Sequence, residues 1–340
     1  MKKLITLLLV LIMALGVASV PAMADEGTLT VYTAFPEAEV ITYLNAFQEA
    51  TGITVNYIRL SAGEMLTRVA AEAENPQASI MFGGSTDNYI AAVNQGLLEP
   101  YQAPDLDKVP AEYIDPTGSW NPIYVGVIAF ACNTEWFEET GYAYPESWED
   151  LLKPEFKDQI IMAHPSTSGT AYTVLATLVQ LKGDEAVWPY LTELNENIVQ
   201  YTKSGSAAPN SVALGEAGIA LTFSHDGLQP TAEGYEITLS FPKDGTGFEI
   251  GAVALIKGGP AAEQENAKKF IDWACSTECQ NLYASNQSFR VPTNTAATVA
   301  DGLVTLDQVN VIDYDAVWAA GVKGDYTEKF EAAISTKPEG

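Results

Sequence analysis

Runs of β-branched and aromatic residues alternate along this chain with stretches of helical spacing. That alternation limits the available folds more than any other feature. Residues 29–34 (LTVYTA) read as a strand ending in a polar loop. Glu37–Thr51 then sets Val40, Ile41, Leu44 and Phe47 on one helical face and closes at Gly52. Residues 53–58 form a second strand. Ser61, followed three residues later by Glu64, has capping-box spacing and opens a helix to about residue 74. Residues 80–84 are a third, buried strand, with a helix over 86–95 behind it. Short loops between such units predict a parallel sheet covered by helices on both faces.

A second set of the same kind begins with a strand over 124–130. A helix over 148–152, a strand over 159–162, and helices after Ser168 and over 184–194 follow. Then come strand 198–201, a helix over 209–214, and strand 219–223 running into Ser224-His225-Asp226. A strand over 249–257 and a helix over 261–274 close the pattern. The expected organisation is α/β in two lobes joined by chain crossings. Residues 25–124 plus 250–295 form lobe 1, 125–249 form lobe 2, and 296–340 form a helical segment packed on the lobes. Ligands of such sheets lie at the carboxyl ends of strands, and a cleft between domains is a common pocket.

Charge narrows the partners. Among 340 residues, 44 are acidic and 17 basic, a formal net charge of −27. A nucleic-acid partner needs a basic face, and an anionic membrane would repel this chain. Lys2 and Lys3 precede an apolar run over 4–20, and Ala22-Met23-Ala24 is an A-x-A cleavage pattern. Residues 1–24 therefore read as a signal peptide, with an exported, soluble mature chain beginning at Asp25. No cysteine follows the run to carry a lipid, and no later stretch reaches the roughly 20 apolar residues of a span. Export permits a disulfide. Cys275 and Cys279 flank a helix-to-helix break, where a bridge and two separate thiols are equally open; Cys132 stands apart.

Catalytic patterns are missing. His164 and His225 are the only histidines. There is no G-x-S-x-G elbow, no H-E-x-x-H, no paired C-x-x-C, no phosphate-binding G-x-x-x-x-G-K-[ST], and no G-x-G-x-x-G opening a helix. Neither an enzyme nor a metal site nor a cofactor is expected. The strand ends instead carry small polar residues leading into helices: Ser61-Ala-Gly-Glu64, Gly84-Ser-Thr86, Ser166 to Thr173, and Ser204-Gly-Ser206. Helix N-termini with such residues attract anions. Capping alone accounts for any one of them, but four at corresponding strand ends point to a shared cleft. His225, Asp226 and Glu249 form a second group, suited to a polyol or an amine; simple turn and strand-end roles are the alternative. Lys203 and Arg68 are possible phosphate partners. With only Arg59, Arg68 and Arg290 as arginines, anion binding would rest mostly on helix ends and hydroxyls. Tyr32 and Tyr172 are candidates to stack on a sugar.

Across the whole mature chain the sequence resembles the periplasmic solute-binding proteins of ABC importers, in the ferric-iron-binding-protein-like family. The residues carrying the likeness are Val31-Tyr-Thr-Ala34, Ser61-Ala-Gly-Glu-Met65, Gly83-Gly-Ser85, Gly96-Leu-Leu-Glu-Pro100, Pro145-Glu-Ser-Trp-Glu-Asp-Leu-Leu152, Ser168-Gly-Thr-Ala-Tyr172 and Phe270-Ile-Asp-Trp273. The resemblance implies a two-lobed type II (Venus-flytrap) periplasmic-binding-protein fold with a hinge and an interlobe cleft. Iron-binding members hold ferric ion with an adjacent tyrosine pair after the strand matching 219–223. Here no such pair exists, and Ser224-His225-Asp226 stands there instead, which removes the phenolates hard iron prefers.

That triplet, with Gly247-Phe-Glu-Ile-Gly251, looks like the branch that binds phosphorylated small molecules, notably hexose phosphates. There, residues matching His225, Asp226 and Glu249 hold sugar hydroxyls, while the loop matching Ser168, Gly169 and Thr170 and the other helix N-termini hold phosphate. The expected site adds Thr33, Ser61, Gly63, Glu64, Ser85, Ala171, Ser204 and Ser206. A neighbouring branch binds 2-aminoethylphosphonate, and there Asp226 and Glu249 would meet an ammonium. The resemblance implies a monomer that closes about strands near 124–130 and 247–257 and delivers a small phosphorylated solute to an inner-membrane permease–ATPase complex. A ferric carrier and a secreted phosphatase are the rivals.

Overall fold

The computed structural model describes residues 27–334. The expected signal peptide lies outside the described residues. Among those described, no helix is long and apolar enough to cross a membrane.

The strands in chain order are β1 (Thr28–Thr33), β2 (Thr54–Arg59), β3 (Ile80–Ser85), β4 (Leu98–Glu99), β5 (Asn121–Asn133), β6 (Ile160–Ala163), β7 (Ile198–Thr202), β8 (Ile219–Phe223), β9 (Ile237–Ser240), β10 (Phe248–Ile256) and β11 (Val291–Pro292). They follow one path, β2-β1-β3-β10-β5-β8-β6-β7, with β4 beside β10 and β9 and β11 beside β5. At the two ends the strands run parallel, as the alternation predicts. The middle does not. There β10 is antiparallel to both β3 and β5, and β5 is antiparallel to β8 and β9.

The departure follows from the length of β5. Its 13 residues are buried throughout and span roughly 40 Å at ~3.3 Å per residue, enough to serve both lobes. Residues 121–127 pair with β10, while 128–133 pair with β8 and β9. A chain that crosses in β5 must return, and it does so through β10, so the central pairing reverses direction. The expected lobe boundaries at 124/125 and 249/250 fall inside these two crossing strands. Near the return, the β5–β10 register slips between Gly251 and Ala252. A Cβ on Gly251 would lie 2.1 Å from the Tyr124 ring, so only glycine lets the strands meet there. Such a bulge bends a strand locally, and it lies in the pair of strands that run between the lobes.

Each lobe has its own core. On one face of lobe 1, the helix Glu37–Thr51 buries Val40, Tyr43, Leu44 and Phe47 against Phe82, Phe270 and Tyr283. It starts after Pro36 with Glu37 and Glu39 in its first turn and ends at Gly52 in the left-handed region (φ 75°), whose N–H donates to the Gln48 carbonyl. On the other face, helices Ala62–Ala71 and Thr86–Asn94 bury Met65, Val69 and Tyr89. Lobe 2 closes around Phe130, Trp148, Tyr172, Leu194 and Phe223. Complete burial of each such side chain stabilises by about 1.5–3 kcal/mol.

One local expectation changes, and one left open is decided. Residues 149–152 form a single 3-10 turn rather than a helix, held by the Asp150 N–H donating to Ser147 Oγ (3.1 Å). Cys275 and Cys279 are free and buried in separate helices, Gln264–Cys275 and Thr277–Ser285, divided at Ser276. The helix Ala316–Ala333 reaches both lobes. Lys323 Nζ lies 2.7 Å from Asp87 in lobe 1, and the Tyr172 hydroxyl of lobe 2 donates to the Ala319 carbonyl.

Candidate functional site

Three helices of the two lobes begin at the same place. β2 leads to Ser61, β3 ends on Ser85, and β6 leads to Ser168; each serine is the N-cap of the helix that follows. All three line one interlobe cavity. The first-turn N–H groups of a helix have no intrahelical partner, and each N-terminus behaves as roughly half a positive charge. Gly169, Thr170, Ser204 and Ser206 complete this wall. Arg59, the last residue of β2, adds a full charge: its Nη2 donates to Ser206 Oγ (3.2 Å) and its Nε to the Phe35 carbonyl (3.4 Å).

The lobes meet at the rim of this wall. The Gly63 N–H donates to the Thr167 carbonyl (3.1 Å), which also lies 2.6 Å from Ser61 Oγ. Lys203 pairs with Glu64 at 2.6 Å. Glu64 also closes the predicted capping box, accepting from the Ser61 N–H at 3.1 Å. The cleft is therefore closed, and the cavity behind the rim measures about 40 Å³.

The opposite wall has another chemistry. His225 and Asp226 sit in the turn of helix Ser224–Leu228 that follows β8, and Glu249 comes from β10. Arg290, fully buried, donates from Nε and Nη2 to the two oxygens of Glu39 (2.7 and 3.0 Å). It also reaches Asp226 Oδ1 at 3.5 Å and lies over the rings of Phe35 and Tyr124. Burial pushes Asp226 up to about 6 against the pull of Arg290. Burial raises Glu249 well above the usual carboxyl range, again opposed by Arg290. Burial, aided by Arg290, holds His225 well below its ordinary value, so the imidazole is neutral. Its Nε2 lies 3.5 Å from Glu249 and 3.7 Å from Asp226, and its Nδ1 is buried without a partner. Gly126 of β5 makes room for the ring, since a Cβ there would lie 2.4 Å from His225 Cε1.

Of the expected residues, Ser61, Ser85, Ser168, Gly169, Thr170, Ser204, Ser206, His225, Asp226 and Glu249 line the cavity. Gly63 and Glu64 belong to the rim. Thr33 is buried at the end of β1, accepting from the Phe35 N–H (3.2 Å), and Ala171 turns into the lobe 2 core while its N–H donates to Ser168 Oγ (3.3 Å). Arg68 and Tyr32 share Glu72 away from the cavity (2.9 and 2.8 Å). Tyr172 is buried in lobe 2, so neither tyrosine is placed to stack on a sugar. Arg59, Arg290 and Tyr124 line the cavity without having been assigned to it. For Arg290 the rarity of arginine was the only signal, and Arg59 had the further mark of directly following a strand. Among the described residues, no group of three or more His, Cys, Asp or Glu could hold a metal ion.

Comparison with known proteins gives a consistent picture. The sequence profile described as bacterial extracellular solute-binding protein matches residues 84–318. A Haemophilus influenzae protein described as uncharacterized is 36% identical over 310 residues, 89% of each chain. A putative 2-aminoethylphosphonate-binding periplasmic protein of Salmonella typhimurium is 28% identical over 86% of each chain. The periplasmic binding protein AfuA from Actinobacillus pleuropneumoniae, solved with exogenous fructose-6-phosphate bound, superposes with a TM-score of 0.87 at 32% identity. That match covers 91% of this chain and 98% of AfuA.

Proposed function

The chain belongs to the bacterial extracellular solute-binding proteins, the periplasmic binding components of ABC importers, and on that premise we propose that it captures a sugar phosphate between its lobes. The anion would lie against the helix N-termini capped by Ser85 and Ser168 and against Arg59. The sugar hydroxyls would meet His225, Asp226, Glu249 and Arg290. Closure would shift the population toward the form presented to the permease–ATPase complex.

The observation that carries this reading is the interleaving of donors and acceptors on the second wall. A hydroxyl both donates and accepts, whereas an ammonium only donates. Asp226 accepts, but the Arg290 guanidinium stands 3.5 Å from it; Glu249, whose protonated form burial favours, can donate as well as accept, and the neutral His225 supplies one donor and one acceptor. An ammonium would find Asp226 already facing a cation. The fructose-6-phosphate bound by AfuA agrees with this chemistry, while the Salmonella relative favours 2-aminoethylphosphonate as the second reading. A cavity of about 40 Å³ has room for about three waters, so a sugar phosphate enters only once the rim has parted.

Calorimetric titration of protein unfolded and refolded to strip carried-over ligand tests the reading. The panel is fructose 6-phosphate, 2-aminoethylphosphonate, inorganic phosphate and ferric citrate. Tight binding of the sugar phosphate, with the others at least ~100-fold weaker (about 2.7 kcal/mol), is the expected result. Preference for the aminophosphonate would reassign Asp226 and Glu249 to an ammonium, and binding of iron alone would overturn the organophosphate reading.

A further inference from the structure

We propose that Lys323 and Asn88 are positioning residues that fix the Ser85 hydroxyl as a hydrogen-bond donor into the cavity, making the C-terminal helix part of the anion-binding machinery. The inference rests on the anion wall described above and extends it to two residues that do not touch the cavity.

Hydrogen-bond roles along the chain allow only one direction. Lys323 Nζ lies 2.7 Å from Asn88 Oδ1 and 2.7 Å from Asp87 Oδ2, with the Tyr172 ring of lobe 2 on its other side at 4.4 Å. An ammonium has donors and no acceptor, so the atom of Asn88 that faces it must be the oxygen. That orientation turns Asn88 Nδ2 toward Ser85 Oγ at 3.1 Å. The amide nitrogen only donates, so Ser85 Oγ accepts, and its single proton must point elsewhere.

Ser85 is also an unusual N-cap. A capping serine normally accepts from a backbone N–H of the first turn. Ser168 does so, taking the Ala171 N–H, whereas Ser85 makes no such bond. Asn88 Nδ2 takes the place of that backbone donor, so the hydroxyl faces the cavity it lines as a donor. An oxyanion accepts, and a hydroxyl already biased to donate loses less rotational freedom on binding it. Gly169 of the opposite lobe closes over this group. A Cβ there would lie 2.8 Å from Ser85 Oγ and 3.2 Å from Asn88 Nδ2.

A double-mutant cycle reads the relay. Ser85→Ala, Asn88→Leu and the Ser85→Ala/Asn88→Leu double variant would be titrated with fructose 6-phosphate, 2-aminoethylphosphonate and inorganic phosphate, with thermal midpoints recorded. Ser85→Ala should weaken binding of whichever oxyanion the wild type takes by about 10- to 100-fold, as for a bond to a charged group. Asn88→Leu should weaken it by about 3- to 10-fold, and should do so only while Ser85 is present. Lys323→Met should behave like Asn88→Leu, but it leaves the buried Asp87 without its ammonium, so the uncharged Asn88 variant decides.

An Asn88→Leu loss of equal size in the Ser85→Ala background would show a general distortion and overturn the relay. So would wild-type affinity in Asn88→Leu. Preference for the aminophosphonate would overturn the sugar-phosphate reading while the cycle still judged the relay on that ligand. A wild type that binds none of the three would overturn both.

Discussion

Asp226 holds its place in the site against its own solvation. Its carboxyl titrates at about 6 rather than 3.8 because burial outweighs the attraction of Arg290. The folded state thus binds the proton more tightly than the unfolded state. The stability linked to this group is full below about pH 3.8 and is lost as pH rises through about 6. Two pKa units correspond to a cost of about 3 kcal/mol at neutral pH. Asp226→Asn removes that charge at nearly constant shape. The variant should be more stable than wild type at pH 7.5, by up to about 3 kcal/mol, with the difference shrinking toward zero at pH 3.5. Urea denaturation at the two pH values measures this. The same substitution should weaken sugar-phosphate binding, since an amide cannot accept at both positions. A stability difference independent of pH would mean that Asp226 is solvated in the folded protein. On the proposed reading, the site keeps a carboxylate at the expense of stability, a common arrangement at binding sites.

At the scale of elements, the closed cleft depends on two helix N-termini approaching without side chains between them. Gly63 sits in the first turn of Ala62–Ala71, and a Cβ there would lie 2.7 Å from the Thr167 carbonyl of the other lobe. The clash is with backbone, so it cannot be relieved by a rotamer. Alanine is otherwise a better helix former than glycine, by about 1 kcal/mol. Gly63→Ala should therefore leave the thermal midpoint unchanged or raised while weakening ligand binding at least ~10-fold. Small-angle scattering should also show a smaller contraction on adding ligand. A variant that binds and contracts like wild type would remove the rim contact from the closing mechanism. These helix starts were legible in the sequence because a capping serine and its following turn are local. The crossing strands were placed, but their full extent and antiparallel pairing were not legible. The sequence marks β5 as a strand over 124–130, but its extension to Asn121–Asn133 and its antiparallel partners are set by residues more than 85 positions away. Arg290 was illegible for the same reason. It lies just before a two-residue strand, and its roles come from Glu39, Phe35, Tyr124 and Asp226, which only the folded chain brings together. Tyr32 and Tyr172 show the converse error, since a position near a strand end does not say which way a ring points.

The whole molecule poses an electrostatic problem: a chain of formal net charge −27 is read as a receptor for an anion. Two length scales separate the terms. On the proposed reading, hydrogen bonds from helix N-termini, Ser85 and Arg59 would act within a few ångströms of the bound group, inside the cleft. The surface charge acts on the approaching ligand from outside, with a reach of about 30 Å at 0.01 M salt and about 8 Å at 0.15 M. Salt should therefore change the approach and leave the bound complex nearly untouched. The association rate for a sugar phosphate is expected to rise about 3- to 10-fold between 10 and 150 mM salt as repulsion is screened. Dissociation should stay constant within about twofold. Stopped-flow fluorescence at a series of salt concentrations separates the two rates. Affinity would then improve with salt, opposite to a basic receptor that steers anions by its surface. A falling association rate would place the controlling field in the open cleft, where Arg59 and the helix termini would have to outweigh the acidic surface even at long range.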